Sequence, residues 1–152
     1  MVKDKKIAVI GGGSWATAQV KILCNNLNKV YWFVRSEEQV NHILQFKHNP
    51  KYLQSVEFDT KKVVVSSNLE EILKEAQYII IATPSAFLTK LFENVDKSLF
   101  DGKVVFSAVK GIIPEFNAIP ARFIHKTFGV PYHKIGIICG PCHAEEVALE
   151  RL

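Results

Sequence analysis

A doubly wound parallel sheet of the α/β class is the fold expected of this sequence, and three observations carry it. Six short apolar runs rich in β-branched residues recur along the 152 residues. Longer amphipathic stretches separate them, as crossover helices must when neighbouring strands run parallel. A glycine-rich turn, "GGGS", follows the first run directly, where a strand would hand over to a helix.

"KIAVI" (6–10) predicts the first strand, and "GGGSWATA" opens a helix over 14–27. "VYWFV" (30–34) is the second strand, followed by a helix over 36–46. The stretch "HNPKYLQSVEFDT" (48–60) keeps neither the strand nor the helix period and predicts an irregular excursion. "KVVVS" (62–66) is the third strand, and Asn68 with Glu71 three residues later is a capping signal for a helix over 68–75. "YIIIAT" (78–83) is the fourth strand, and Ser85 directly after Pro84 reads as the cap of a helix over 85–93. "KVVFSA" (103–108) is the fifth, with a helix over 117–128 behind it, and "IGIIC" (135–139) is the sixth. "GPCHAEEVALERL" then begins a helix with Glu145 and Glu146 in its first turn, where the dipole favours acids. The protein is expected to continue past Leu152. Strands this hydrophobic are expected to be covered on both faces. No repeat, low-complexity tract or linker interrupts the pattern, so a single domain over 1–152 is expected.

With 48% hydrophobic and 22% charged residues, the chain has the balance of an ordinary globular domain and the length for a sizeable core. Its net charge of +4 is spread along the sequence, which fits a small anionic ligand and argues against a nucleic-acid surface. No apolar stretch has the length of a signal peptide or a membrane span. A cytoplasmic protein without membrane insertion, its thiols reduced, is therefore the expectation. Cys24, Cys139 and Cys142 cannot all pair with one another; Cys24 reads as a small apolar residue in a helix. "CGPCH" (139–143) has the spacing of c-type haem attachment, and its first four letters spell a thioredoxin-like dithiol. Haem attachment normally follows export, whereas "MVKDKKIAVIGGG" reads as a strand start rather than a leader. A thioredoxin motif belongs after an early strand in a smaller fold without a glycine loop. His42, His48, His125 and His133 show no zinc-like spacing, and no metal is expected.

Gly11, Gly13 and Ala16 match G-x-G-x-x-G/A between a strand and a helix, the fingerprint of the dinucleotide-binding Rossmann fold. The three positions serve a tight turn, close backbone approach to a pyrophosphate, and close packing of helix on strand. Free amides at the helix start then face the phosphates. The strand order 3-2-1-4-5-6 follows, with NADP or NAD as cofactor. The second strand ends in "WFVRSEE", placing Arg35 where an acid would bond the ribose 2′-hydroxyl of NAD. A guanidinium suits the 2′-phosphate of NADP and can lie over adenine, so NADP is favoured and NAD stays open. Lys110 follows the fifth strand and emerges at the carboxyl edge, where ligands of such sheets collect.

In order along the chain, "GGGSWATA", "HNPKYL", "IATPS", "VKGI" and "GPCHAEEVA" resemble segments of the bacterial NAD(P)-dependent glycerol-3-phosphate dehydrogenases: G-x-G-S-W-G-T-A, N-x-x-Y-L, V-P-S, K-G-I and G-P-S-x-A-x-E-V-A. The resemblance covers nearly the whole chain. It implies the N-terminal cofactor-binding domain of an enzyme that interconverts dihydroxyacetone phosphate and sn-glycerol 3-phosphate by hydride transfer, at the entry to phospholipid synthesis. It implies that Ser14, Trp15, Pro84, Lys110 and Ala144 join Gly11, Gly13, Ala16 and Arg35 around the cofactor, and that Lys110, Gly140 and Cys142 hold the substrate. Trp15 also suits a core aromatic, and His143 reads either as a ligand contact or as a surface residue at a helix start. Cys142 departs from the family's serine or threonine; a thiol donates poorly, so only the backbone contact there is expected to persist. The family's general acid/base lysine lies on a second, helical domain and is expected beyond Leu152. A homodimer of the full-length enzyme is compatible with this reading. The alternatives are another Rossmann dehydrogenase, acting on a 3-hydroxy acid or nucleotide sugar, and a CxxC thiol-redox module.

Overall fold

The computed structural model describes residues 4–140 and 142–149. Strands β1 (Ile7–Ile10), β2 (Val30–Phe33), β3 (Val63–Ser66), β4 (Tyr78–Ile81), β5 (Val104–Ser107) and β6 (Ile135–Ile137) form one sheet. All pairs are parallel, in the order β3-β2-β1-β4-β5-β6, so the expected strand order holds. β1 lies between β2 and β4 in matched register, with Ile7 opposite both Val30 and Tyr78. The winding reverses between β1 and β4, and a crevice opens there at the carboxyl edge.

Helices α1 (Ser14–Asn26), α2 (Glu37–Phe46) and α6 (Ala144–Ala148) cover one face; α3 (Leu69–Glu75), α4 (Leu88–Phe92) and α5 (Pro120–Phe128) cover the other. Strand side chains alternate between them: Val9, Trp32 and Ile80 enter the first core, while Ala8, Phe33 and Ile79 enter the second. The second core is closed by aromatic rings, with Phe100 stacked on Phe128 at 4.0 Å between centroids. Full coverage of both faces does not extend to the sheet edges. Val64 on β3 is 37% exposed and Ile137 on β6 is 54% exposed. The helices pack over the middle of the sheet, and an edge strand has a neighbour on one side only.

Several elements are shorter than the letters suggest. Sheet bonds run one residue past the strand ends, from Ala82 N to Ile10 O (2.9 Å) and from Ala108 N to Ile81 O (2.9 Å), and the chain then leaves the sheet. The helix expected from 117 starts at Pro120, because Asn117 takes the left-handed conformation (φ 43°) and Ile113 N bonds Ala118 O at 2.8 Å. Proline then sits in the first turn, where its missing donor costs nothing. Ser85 does not cap a helix: it begins a single 3₁₀ turn (Ser85–Phe87) ahead of α4 and makes no capping bond. The 48–60 stretch is irregular as expected, yet Val56 and Phe58 are buried, with Phe58 5.2 Å from Trp32 between ring centroids. In the expected final helix, Pro141 and residues 150–152 lie outside the described residues.

Asn68 does cap α3. Its side chain accepts from Glu71 N at 3.3 Å, while Ser66 Oγ accepts from Asn68 N (3.0 Å) and donates to the Glu71 carboxylate (3.2 Å). The capping box is thus relayed through a serine. Asn68→Ala is expected to lower the unfolding free energy by about 1 kcal/mol, read from the midpoint of urea denaturation.

Candidate functional site

The turn after β1 is shaped by its surroundings. Gly11 has φ +143°, and a Cβ there would stand 2.6 Å from the Ala82 carbonyl oxygen, so the exit of β4 runs directly against it. A side chain is excluded on both counts. At Gly13 a Cβ would meet nothing within 4 Å, which leaves the backbone open to a ligand. Gly13 is also the N-cap of α1; no side chain caps it and the first turn of α1 carries no acidic residue. The leading amides of α1 have no acceptor within the helix, and its dipole faces outward uncompensated. Ala16 is fully buried in the core that joins α1 to the sheet.

The carbonyls of this turn are bonded from behind. Trp32 Nε1 donates to Gly11 O at 2.7 Å, and the Thr17 hydroxyl donates to Gly13 O at 2.8 Å. Gly12 O receives both Gln39 Nε2 (3.0 Å) and Asn49 Nδ2 (3.1 Å). None of these four side chains was a candidate from sequence. Asn49 was visible only as a letter of "HNPKYL", and a tryptophan in an apolar strand carries no mark of a polar duty.

A cleft of about 460 Å³ lies along the carboxyl edge. Gly13, Ser14 and Trp15 line it from the end of β1, Thr83, Pro84 and Ser85 from the end of β4, and Lys110 from the end of β5. Cys142, His143 and Ala144, which follow β6, close the remaining side. Gly13 and Lys110, far apart in sequence, therefore face one space. Trp15 is half-buried, packing on the core while lining the cleft. Thr83 is held by a hydrogen bond from its hydroxyl to Ile10 O (3.0 Å). Lys110 is exposed, and among the described residues no carboxylate pairs with it. Gly11 and Ala16 shape the cleft from below without lining it. Arg35 is exposed just past the end of β2, outside the lining. Gly140 is exposed with φ +153°, also outside the lining, whereas Ala144 is buried where α6 packs on α1.

The three thiols differ sharply. Burial pushes Cys24 up to about 11, so it stays protonated and unreactive, in keeping with an apolar role. Cys139 and Cys142 are exposed, and all three are free. Among the described residues no cluster of three or more His, Cys, Asp or Glu could hold a metal ion, and no helix is long and apolar enough to cross a membrane.

Comparison with known proteins matches residues 6–152 to the family described as the NAD-dependent glycerol-3-phosphate dehydrogenase N-terminus. The chain is 30% identical over 148 residues to the glycerol-3-phosphate dehydrogenase [NAD(P)+] of Staphylococcus carnosus, covering 96% of this chain and 44% of that protein. It is 33% identical over 152 residues to the enzyme of the same name from Pseudomonas paraeruginosa, covering 100% of this chain and again 44% of the relative. Among solved structures, glycerol-3-phosphate dehydrogenase of Plasmodium falciparum superposes with a TM-score of 0.82 at 25% identity, over 96% of this chain and 43% of its own. The chain thus spans less than half the length of these relatives.

Two outcomes are expected. Gly11→Ala should lower stability by about 2 kcal/mol or more, through the positive φ and the collision with Ala82, measured as a fall in thermal midpoint. With an aromatic disulfide reagent at pH 8, two of the three thiols in the native protein should react promptly and the third only on unfolding.

Proposed function

The chain belongs to the NAD-dependent glycerol-3-phosphate dehydrogenase family, whose N-terminal region it matches, and from that premise we propose that residues 1–152 are the dinucleotide-binding domain of an enzyme that converts dihydroxyacetone phosphate to sn-glycerol 3-phosphate. The observation that carries the reading is the meeting of Gly13, Ser14 and Trp15 with Lys110 in one cleft. The residues suit a dinucleotide: a Cβ-free approach at Gly13, unbonded amides at the start of α1, and a cation across the crevice. Gly11, Gly13, Ser14 and Ala16 would hold or shape the diphosphate site, Trp15, Pro84 and Ala144 the cleft wall, and Arg35 the adenosine end. NADP or NAD, when bound, supplies the hydride for C2 of the three-carbon phosphate.

Lys110 holds an oxygen of that substrate, since an unpaired ammonium at the rim favours an anion or a polarised carbonyl. Gly140 and Cys142 offer it backbone contacts, the thiol adding little as a donor. The proton that completes reduction comes from a lysine in the part of the protein beyond Leu152, so the full-length enzyme turns over and the 152-residue chain binds only. We place that enzyme in the cytoplasm, feeding phospholipid synthesis, and as a homodimer; three free thiols, two of them exposed, suit a reducing compartment.

Titration of the chain with NADPH and NADH, followed by tryptophan quenching, tests the site. Saturable binding is expected, and Arg35→Ala should weaken NADPH about 10-fold while leaving NADH nearly unchanged, as loss of a charge-assisted bond to the 2′-phosphate requires. NADPH oxidation with dihydroxyacetone phosphate should stay at the blank rate for the 152-residue chain; a steady rate above it would refute the assignment of the proton donor.

A further inference from the structure

We propose that Asn49 is the positioning residue of the glycine turn: its side-chain amide holds the Gly12 carbonyl into the protein and thereby aims the Gly13 amide at the bound diphosphate. The proposal rests on the dinucleotide-binding reading above and adds a residue to it. In a planar trans peptide, C=O and the following N–H point in opposite directions. Whatever fixes Gly12 O inward therefore fixes Gly13 N–H outward, and at Gly13 a Cβ would meet nothing within 4 Å, so a ligand can approach the backbone closely there.

Asn49 comes from the irregular excursion between α2 and β3, yet it is 0% exposed. Its amide is fully engaged. Nδ2 donates to Gly12 O (3.1 Å) and to Thr17 Oγ1 (2.8 Å). Oδ1 accepts from Lys51 N (3.0 Å), Tyr52 N (3.3 Å) and Gln39 Nε2 (3.4 Å). Two backbone donors on Oδ1 dictate that the nitrogen faces Gly12, since a backbone amide cannot accept. Thr17 passes the hold along, because its hydroxyl accepts from Asn49 and donates to Gly13 O at 2.8 Å. One buried side chain thus acts on two successive carbonyls, and through them on the amides of Gly13 and Ser14. Gln39 also reaches Gly12 O, but it is itself held by Asn49. An isosteric carboxylate at position 49 would set oxygen against oxygen at Gly12.

The competing explanation is that Asn49 merely shapes its own turn through Lys51 and Tyr52. Asn49→Asp, Thr17→Val and Thr17→Ser separate the two. Each is titrated with NADPH and ADP-ribose, which carry the diphosphate, and with adenosine 2′-monophosphate, which lacks the bridge; backbone amide NMR signals are followed in the ligand-free proteins. Asn49→Asp is expected to weaken NADPH and ADP-ribose about 10-fold or more, with less than about a 2-fold change for the monophosphate, and to shift the Gly13 and Ser14 signals. Thr17→Val should weaken the diphosphate ligands about 3-fold, and Thr17→Ser, which restores the hydroxyl, should not. A folded Asn49→Asp that binds NADPH like the parent, or loses all three ligands equally, overturns the proposal. Should Asn49→Asp fail to fold, equal binding by the two Thr17 variants overturns it instead. Failure of the unaltered chain to bind NADPH would sink the functional reading, while unmoved Gly13 and Ser14 signals would sink this one.

Discussion

A backbone can offer its amides to a ligand only if the carbonyls of the same peptide planes are satisfied elsewhere. In this protein Gly11 O, Gly12 O and Gly13 O are met by Trp32, by Asn49 with Gln39, and by Thr17. Each bond closes off the inner side of the turn and leaves its outer side with donors alone. The glycines make the path sterically available, and the polar side chains beneath select one orientation along it. The amides, the start of α1 and the open space above Gly13 all depend on that selection.

The parallel sheet extends the same logic across the molecule. Every parallel strand releases its chain at the carboxyl edge, so segments from the ends of β1, β4 and β5 meet there whatever their separation in sequence. Contact between Gly11 and the Ala82 carbonyl sets how closely the first two of these approach. The β6 side is brought in by α6, whose Ala144, Val147 and Ala148 join the core that α1 also lines. Exposure of β3 and β6 at the sheet margins has little bearing on the cleft, which lies over the covered centre.

Cysteine illustrates how one residue type divides by position. Cys24 points into the core from α1 and burial pushes its thiol up to about 11, whereas Cys139 and Cys142 are exposed and Cys142 lines the cleft. Of the "CGPCH" spelling that suggests haem or dithiol chemistry, Cys139, Cys142 and His143 lie between the last strand and α6. Local spelling does not by itself fix function, and here Cys142 and His143 line the cleft at the carboxyl edge of the sheet.

Strand identity, strand order and the glycine turn were legible in the sequence, because they depend on local periodicity and on the few conformations open to glycine. Asn68 as a cap is legible for the same reason, whereas α5 starts later than its helical pattern predicts, because Asn117 turns left-handed ahead of Pro120. Lys110 at the rim followed from its place after a parallel strand. What only the tertiary structure decided was the underside of the turn: Asn49, Gln39 and Trp32 reach it from separate elements, 21 to 37 residues away. No period or spacing encodes such meetings, since they are fixed by how a sheet, a helix and an irregular loop happen to pack, and hydrogen-bond partners can be read only once that packing exists.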